Sequence, residues 1–332
     1  MEKQFYLNYA KLAERLATQY NVKIREYDQR DQISFTPYIY NVCSANCRFC
    51  SEKLVRDGNV MVCGDLVGDY RLRLLDVFDQ VKKRPLFLSL SGKEPTESPQ
   101  QLETILQCAN LYDNITDRVM YTNLSGFGRD FQQLRDIIEE GGLTRIECSR
   151  HHYDEDVNQT IMNFRNRYQI KTNECFVNTV RQLLPLVDLK MVCVIQKMGV
   201  KNYDDIVKYI QFARNIGVKN LVFRELAMFD DCIDDGVTAK YIEENRIEIM
   251  EILQTLDKEA FQLTNITKGY YYFSFGYKYQ GEMNVSFEMS DYEEMISKHY
   301  GDKIYKLILY PNGKLCTDWN MKGEIELKDL RL

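Results

Sequence analysis

The sequence predicts an α/β protein with a parallel sheet at its centre, and two observations support this. Between residue 33 and about residue 226, six apolar runs of strand length alternate with amphipathic stretches of helix length. Each apolar run is bounded by turn residues, a pattern typical of parallel strands that are buried on both faces. Strands joined in this way wind right-handed and close toward a barrel or a doubly wound sheet.

The six strand–helix units follow one another along the chain. Strands are predicted at 33–42, 86–90, 118–124, 144–149, 189–196 and 221–226. Helices are predicted at 72–83, 100–110, 131–139, 157–168, 177–184 and 203–215. Six units are fewer than the eight of a closed TIM barrel. The prediction is therefore a partial (β/α)6 TIM-like barrel, whose open side leaves a cleft that suits a large substrate.

Residues 1–32 form a predicted helical lead to the barrel. Tyr6, Tyr9, Leu12 and Leu16 recur at roughly helical spacing among charged neighbours, which predicts an amphipathic helix. The favoured interpretation is a helix that packs on the core, and the alternative is a partner-binding helix.

The strand–helix alternation ends after the barrel, which is assigned to residues 33–230. Residues 231–332 are predicted to be an α+β extension packed on the barrel. They contain a long charged helix at 237–256 and an aromatic-rich run at 268–287. An Asn-Gly pair at 312–313 predicts a β-hairpin, because this pair readily adopts positive φ angles. The aromatic run either closes over a substrate or forms hairpin core.

The composition is that of an ordinary globular protein, with 45% hydrophobic and 28% charged residues. A net charge of −6 argues against a broad nucleic-acid or anionic-membrane surface. The N-terminus lacks a signal-peptide pattern, and no apolar run approaches the ~18 residues that span a bilayer. Ten scattered cysteines without an export signal indicate a reducing compartment. We therefore expect a cytoplasmic protein.

Three cysteines directly after the first strand carry the strongest signal. Cys43, Cys47 and Cys50 have the spacing C-x-x-x-C-x-x-C. Iron–sulfur clusters are normally held by four cysteines, so three would leave one iron open to a small molecule. Structural zinc is the competing interpretation, but zinc sites typically use C-x-x-C pairs and four protein ligands. The spacing and the number of ligands favour an iron–sulfur cluster.

This cysteine stretch, with the aromatic Phe49 before its last cysteine, resembles that of the radical S-adenosylmethionine (radical SAM) superfamily, whose core is a six-unit partial barrel. The resemblance implies that Cys43, Cys47 and Cys50 hold a [4Fe–4S] cluster and that its fourth iron binds S-adenosyl-L-methionine. Phe49 would then lie near the adenine. One-electron cleavage would give methionine and a 5′-deoxyadenosyl radical, which abstracts hydrogen from the substrate.

The end of the second predicted strand resembles another motif of this superfamily. Gly92, Lys93 and Glu94 precede a proline, similar to the Gly-Gly-Glu-Pro stretch that binds the amino group of the methionine moiety. Glycine permits close backbone approach, and a carboxylate accepts from an ammonium group. Lys93 departs from the motif and either serves the cofactor or the substrate or points outward. The alternative is an ordinary βα turn with Ser98 as N-cap.

The next two strand ends add further candidates. Asn123 follows Thr122, similar to a Thr-Asn-Gly stretch found at this position in the superfamily, and Ser149 matches a serine that contacts the cofactor. His151 and His152 are candidate ligands or acid–base groups. The alternative for all of them is a satisfied polar residue at a strand end.

The fifth and sixth units, from residue 189 to residue 226, resemble the branch with the molybdenum-cofactor and peptide-modifying enzymes. Arg224 and Glu225 alternate across the sixth strand, so at most one faces the lumen at a given level. Either a buried ion pair or a substrate contact would explain them, and Arg224 is the preferred catalytic candidate beside Lys93 and His151.

Beyond Cys232 the chain has only Cys316, so the auxiliary-cluster cysteines of that branch are missing and a single cluster is expected. The predicted substrate is a small molecule or nucleotide in a biosynthetic pathway, and a ribosomal peptide is the alternative. A non-catalytic Fe–S or zinc redox protein is the third possibility. The enzyme interpretation requires a reducing partner such as flavodoxin or ferredoxin.

Overall fold

A computed structural model defines the fold of the chain. It describes residues 2–27, 32–39, 43–53, 68–227, 236–299, 304–317, 319 and 324–327. Residues 40–42 of the first predicted strand, Cys63 and Cys232 lie outside the described residues.

The structure confirms the predicted α/β partial-barrel fold. One sheet contains all twelve named strands in the order β1-β8-β9-β10-β7-β6-β5-β4-β3-β2-β11-β12. Their bounds are β1 Ile24–Glu26, β2 Ile33–Pro37, β3 Leu86–Leu90, β4 Ile115–Thr122, β5 Arg145–Ser149, β6 Asp188–Ile195, β7 Asn220–Glu225, β8 Phe261–Lys268, β9 Tyr272–Tyr279, β10 Met283–Ser290, β11 Lys306–Leu309 and β12 Leu315–Cys316. The six predicted strands are β2 to β7, and all their pairings are parallel.

Ten named helices accompany this sheet. Their bounds are α1 Glu2–Tyr20, α2 Gly68–Val81, α3 Pro99–Ala109, α4 Phe131–Glu140, α5 Glu155–Met162, α6 Asn173–Leu183, α7 Tyr203–Ile216, α8 Val237–Asn245, α9 Ile249–Thr255 and α10 Tyr292–His299. Local chemistry fixes several ends. The Asn202 side chain caps α7 by accepting the backbone N–H of Asp205 at 3.0 Å. Gly217 ends α7 at a φ of +102°. No helix in the described part of the chain is long and apolar enough to cross a membrane.

The sheet has an apolar face and a polar face. Along β5, Ile146 and Cys148 are buried in the main hydrophobic core, and Glu147 and Ser149 alternate with them. Because neighbouring strands keep their pairing register, residues on one face line up across the sheet. The polar face therefore lines the barrel lumen, and the apolar face packs against the helices.

The C-terminal third contributes strands on both sides of the six barrel strands. β10 pairs in parallel with β7 and antiparallel with β9, and β11 pairs in parallel with β2. The predicted hairpin is confirmed, since β11 and β12 are antiparallel and Gly313 has a φ of +83°. The division at residues 33–230 and 231–332 stays a prediction, although strands from both ranges share one sheet.

The prediction of one long helix at 237–256 is wrong. The segment forms α8 and α9, separated by extended backbone at Arg246 and Glu248. The break lets the buried Glu225 carboxylate accept the backbone N–H of Ile249 at 2.9 Å and pair with Arg246. A buried carboxylate needs such partners. The charge-assisted bonds to Glu225 therefore stabilise the protein more than an unbroken helix would.

Candidate active site

A cavity of about 950 Å³ opens at the carboxyl ends of the barrel strands. Its wall contains the cysteine loop, defined as residues 43–50, the ends of β3 to β7, and part of β10. The structure brings the site residues predicted from the sequence, with the exception of His152, to this one cavity. They are Cys43, Cys47, Phe49, Cys50, Gly92, Lys93, Glu94, Asn123, Ser149, His151 and Arg224.

The cysteine loop is fastened to the end of α5 by backbone hydrogen bonds. The N–H of Asn46 donates to the carbonyl of Met162 at 3.0 Å, and that of Arg48 donates to Ile161 at 3.1 Å. The N–H of Arg165 in turn donates to Ser44 in the loop at 3.1 Å. The first two bonds satisfy carbonyl groups that the end of α5 would otherwise leave without a partner. The cysteine loop is therefore held in place without any ligand.

The predicted helix at 157–168 is too long, and the difference matters for the site. α5 ends at Met162, and Asn163 takes a left-handed conformation with a φ of +50°. The chain then turns along the cavity wall as residues 163–166. The sequence contains a signal for this helix end, because asparagine at position 163 is one of the few residue types that favours the left-handed conformation that ends a helix.

The three thiols fit the donor set of an iron–sulfur cluster. Burial raises the pKa of Cys43 to about 12, and burial also raises the pKa values of Cys47 and Cys50. Repulsion from the thiolate forms of Cys50 and Cys43 adds to burial in raising the pKa of Cys47. Three soft sulfur donors on one wall suit iron–sulfur chemistry. Among the described residues, no three His, Cys, Asp or Glu side chains are grouped for a single metal ion.

Glu94 joins the end of β3 to the end of β4. Its Oε1 atom accepts from the backbone N–H of Thr96 at 3.1 Å, from the Thr96 hydroxyl at 2.6 Å and from the Thr122 hydroxyl. Its Oε2 atom accepts the backbone N–H of Asn123 at 2.8 Å. Burial raises the pKa of this carboxyl, and these hydrogen bonds oppose that shift. Only Oε2 retains spare capacity for a ligand.

Gly92 allows a close backbone approach, but its neighbour is another part of the chain. Its φ of +124° disfavours any side chain, and a Cβ atom there would lie 2.6 Å from the Ile39 carbonyl oxygen. The adjacent Lys93 donates its backbone N–H to the same oxygen at 2.9 Å. The absence of a side chain at Gly92 therefore lets the loop after β3 pack closely against the chain segment that follows β2, next to the cysteine loop. The half-buried Lys93 side chain lines the cavity.

Asn123 links the end of β4 to the cysteine loop. Its amide nitrogen lies 3.0 Å from the Ser44 hydroxyl and 3.8 Å from the Cys43 sulfur. Its amide oxygen accepts the backbone N–H of Ser125 at 3.0 Å. The next residue, Leu124, has a φ of +66°, where the motif that this stretch resembles has glycine. A buried leucine in that conformation stores backbone strain at the site.

His151 is a neutral hydrogen-bond donor at the cavity wall. Its Nδ1 atom accepts the backbone N–H of Val194 at 3.1 Å, which leaves the ring proton on Nε2. Burial, assisted by Arg150 and Arg224, lowers the pKa of His151 to about 3. The ring of Phe49 meets it edge-on at 4.9 Å between centroids. This environment suits binding and not acid–base catalysis.

The two remaining candidates from β5 and its following loop are placed differently. Ser149 lines the cavity. His152 is not among the lining residues, and its Nδ1 atom instead accepts the backbone N–H of Asp154 at 3.0 Å. Its ring stacks on Tyr153 at 4.2 Å between centroids. His152 therefore supports the start of α5.

Arg224 lies in the lumen between two carboxylates. Its Nη2 atom is 2.8 Å from Glu147 Oε2, and its Nε atom is 2.9 Å from Glu288 Oε2. These two carboxylates and Tyr121 raise its pKa well above the usual value despite burial. Glu225 points to the other side of the strand, where the Tyr9 hydroxyl donates to it at 2.5 Å. Arg224 is therefore ion-paired and also lines the cavity, and the substrate contact stays a prediction.

Sequence reasoning missed several residues of this wall. Glu147, which pairs with the lining residue Arg224 but does not itself line the cavity, was visible two positions before Ser149, since side chains two apart share a face of a strand. Glu288, Ser290 and Tyr292 come from the C-terminal third, where no strand–helix alternation marks the end of a barrel strand. Tyr121 also lines the cavity.

The chain shares its partial-barrel fold with solved structures to which it is similar. The structure of SuiB from Streptococcus suis bound to S-adenosylmethionine aligns over 98% of this chain and 69% of SuiB, with 13% sequence identity and a TM-score of 0.57. A second SuiB structure aligns over 94% of this chain and 64% of its own, with 13% identity and a TM-score of 0.54.

At this identity the match establishes the shared fold. The chain spans about two thirds of the length of SuiB. No protein-family model matches the chain, and no curated protein matches its sequence.

Proposed function

We propose that this protein is a radical SAM enzyme. Cys43, Cys47 and Cys50 would hold a [4Fe–4S] cluster, and S-adenosyl-L-methionine would bind beside it. The observation that carries the proposal is convergence: three cysteines and the strand-end residues of four barrel strands line one cavity in this fold. When bound, these cofactors supply one-electron cleavage of the sulfonium and a 5′-deoxyadenosyl radical that abstracts hydrogen from the substrate.

The contribution of the chain itself is to bind, orient and exclude water. We assign cofactor binding to Phe49, Gly92, Glu94, Asn123 and Ser149. Glu94 offers the spare capacity of Oε2 to an ammonium group, and Asn123 places its amide beside the Cys43 sulfur. Hydrogen bonds to cluster sulfurs tune reduction potentials, so Asn123 has a second role available at the same position.

His151 and Phe49 form one wall of this proposed cofactor site. The neutral imidazole keeps an Nε2 proton as a donor, and the adjacent ring adds apolar surface. We assign Lys93 to a carboxylate of the cofactor or substrate, because it lines the cavity next to Glu94. We assign Arg224 to the substrate and not to the cofactor, since it lines the cavity while paired with Glu147 and Glu288.

The substrate that we propose is a small molecule or nucleotide. A volume of about 950 Å³ is at the upper end of small-molecule sites, and part of it has to hold S-adenosylmethionine. The second candidate is a peptide. SuiB is counted among peptide-modifying enzymes, and its match covers nearly the whole chain, which includes the strands that follow the barrel.

We further propose a cytoplasmic location and an electron supply from flavodoxin or ferredoxin. Supporting this, none of the cysteines in the described part of the chain forms a disulfide. Free thiols are typical of a reducing compartment, and thiolates must stay reduced to bind metal.

Anaerobic reconstitution with iron and sulfide tests the proposal. We expect four irons per chain and the release of 5′-deoxyadenosine from S-adenosylmethionine under reducing conditions. Cys50→Ala removes a proposed ligand, and we expect product release to fall on the order of 10³-fold. Cys175→Ala is the matched control, since Cys175 is half-buried and lies outside the cavity. A full cluster without any cleavage of S-adenosylmethionine would instead identify a redox protein, and binding of one zinc ion would overturn both.

A further inference from the structure

Four charged side chains of alternating sign form a row from β5 to β10, and the last two of them, Arg224 and Glu288, line the cavity. Arg145 Nε is 3.3 Å from Glu147 Oε1, and Glu147 Oε2 is 2.8 Å from Arg224 Nη2. Arg224 Nε is 2.9 Å from Glu288 Oε2. Two cations and two anions thus alternate from β5 through β7 to β10, and their formal charges cancel.

Glu288, the last residue of this row, contacts its neighbour through one of its two carboxylate oxygens. Glu288 engages Arg224 through Oε2 only, and among the described residues Oε1 has no hydrogen-bond partner. The side chain is 28% exposed and lines the cavity. Each inner member of the row contacts a charge of opposite sign on both sides. The carboxylate at the end lacks its second counter-charge, so a cation placed beside Oε1 would continue the alternation.

Aromatic rings surround the same end. Tyr121 and Tyr292 both line the cavity, and the guanidinium carbon of Arg224 lies 5.8 Å from the centre of the Tyr121 ring. The ring of Tyr271 packs on Tyr292 at 5.6 Å between centroids. Aromatic faces attract ammonium and guanidinium groups. The combination of a free carboxylate oxygen and tyrosine rings is therefore selective for a cation.

The other charges of the cavity are placed elsewhere. Lys53 donates to the Cys47 carbonyl at 2.8 Å, and Arg165 is held to Ser44 of the cysteine loop through its backbone. Lys93 acts on the pKa of Cys50. Glu225 is already compensated by Arg246. None of these four side chains contacts Glu288 in the described part of the chain, where its charged partner is Arg224.

We propose that Glu288 binds an ammonium or guanidinium group of the substrate, with Tyr121 and Tyr292 as its aromatic surroundings. The row from Arg145 to Arg224 fixes the orientation of Glu288. The proposal rests on the proposed function only in that the bound substrate would react in the same cavity. It names an amine-bearing substrate class, which includes small amines, basic amino acids and lysine or arginine side chains of a peptide.

The test is equilibrium binding to the reconstituted, full-length protein with S-adenosylmethionine present. The probes are Nα-acetyl-L-lysine amide, its uncharged counterpart Nα-acetyl-L-norleucine amide and the acidic Nα-acetyl-L-glutamate amide. We expect the lysine probe to bind about 10-fold more tightly than the norleucine probe, as one charge-assisted hydrogen bond provides. We expect the acidic probe to bind most weakly.

Glu288→Gln is the decisive variant, because it removes the charge and keeps an amide oxygen as an acceptor for Arg224. We expect the lysine preference to disappear in Glu288→Gln and to persist in Glu282→Gln, whose exposed side chain pairs with Arg214 outside the cavity. Thermal unfolding establishes that each variant is folded, and if Glu288→Gln unfolds, the comparison of the three probes on the unsubstituted protein decides the proposal. Equal binding of the three probes, no binding of the lysine probe up to ~10 mM, or an unchanged preference in Glu288→Gln would overturn the proposal.

The release of 5′-deoxyadenosine is measured in parallel. Selective lysine binding without cleavage of S-adenosylmethionine would reject the proposed function and retain the cation site. Cleavage of S-adenosylmethionine without selective lysine binding would retain the proposed function and reject the cation site.

Discussion

The two ends of the cavity are built in different ways. At the cysteine-loop end, backbone hydrogen bonds hold a continuous stretch of chain, and the Glu94 carboxylate and the Asn123 amide oxygen accept backbone N–H groups. At the opposite end, side chains from β5, β7 and β10 meet through ion pairs. Backbone bonds preserve a site for a constant cofactor, whereas side-chain pairs are changed by single substitutions. The second end is therefore the one suited to substrate choice.

Removing the cation at the side-chain end should have the larger effect on stability. Arg224→Met leaves Glu147, which is almost fully buried, and Glu288 without their shared guanidinium. We expect a loss of about 2–3 kcal/mol in the free energy of unfolding, reduced from the fully buried case because Arg224 is partly exposed.

Chemical denaturation of Arg224→Met and of Arg135→Met provides the comparison. Arg135 pairs with Glu139 on the exposed surface of α4, where such a pair contributes about 0.3–0.5 kcal/mol. If the two variants lose equal stability, the ion pairs of the lumen do not hold that end together.

A substitution in the backbone-held end should have a somewhat smaller effect. Gly92→Ala puts a Cβ atom 2.6 Å from the Ile39 carbonyl oxygen at a φ of +124°. We expect a loss of about 2 kcal/mol, because backbone must move and the conformation is disfavoured for alanine. Denaturation midpoints measure this loss.

Gly281→Ala is the control for the Gly92 variant. Gly281 also has a positive φ, +74°, but open space surrounds the position of its Cβ atom. We expect about 1 kcal/mol there, from conformation alone. If the two variants lose equal stability, the close approach to Ile39 does not contribute to the loss in Gly92→Ala.

The smallest expected effect concerns His151 and pH. Its pKa is about 3 in the folded protein and ordinarily about 6.5 in an unfolded chain. The unfolded state therefore binds a proton first as pH falls, so the stability contribution is complete above pH ~6.5 and declines below it. Between about pH 7 and about pH 5.5, His151→Gln should lose about 1 kcal/mol less stability than the native protein. Parallel pH dependences of the two proteins would mean that His151 is not held neutral.

Residues near each other in sequence were predictable, and residues brought together by distant strands were not. Cys43, Cys47 and Cys50 lie in one loop, and Glu94 and Ser149 lie at or just beyond the ends of predicted strands. The strand pattern, together with the resemblance of these stretches to known motifs, assigned them to the same rim. Glu288 pairs in register with Arg224 across 64 positions of sequence. Local pattern carries no information about such a pairing, because it depends on which edge strand joins the sheet.

The helix predictions failed for a related reason. The charged residues of 237–256 all favour helix locally, yet the buried Glu225 carboxylate draws Arg246 and the Ile249 N–H to itself. One buried charge needs hydrogen-bond partners in the tertiary structure, and this need overrides the helix propensity of the segment. The glycines, by contrast, were informative wherever a positive φ was needed, as at Gly217 and Gly313.

The placement of β10 and β11 has a consequence for how the chain behaves while it is being made. These strands cover the outer edges of β7 and β2, and both come late in the sequence. Until they are synthesised, the six-strand barrel presents two open edges with unpaired backbone groups, which invite pairing with other chains. The shared sheet therefore acts against aggregation as well as in building the cavity, and fragments ending near residue 230 should aggregate where the full chain does not.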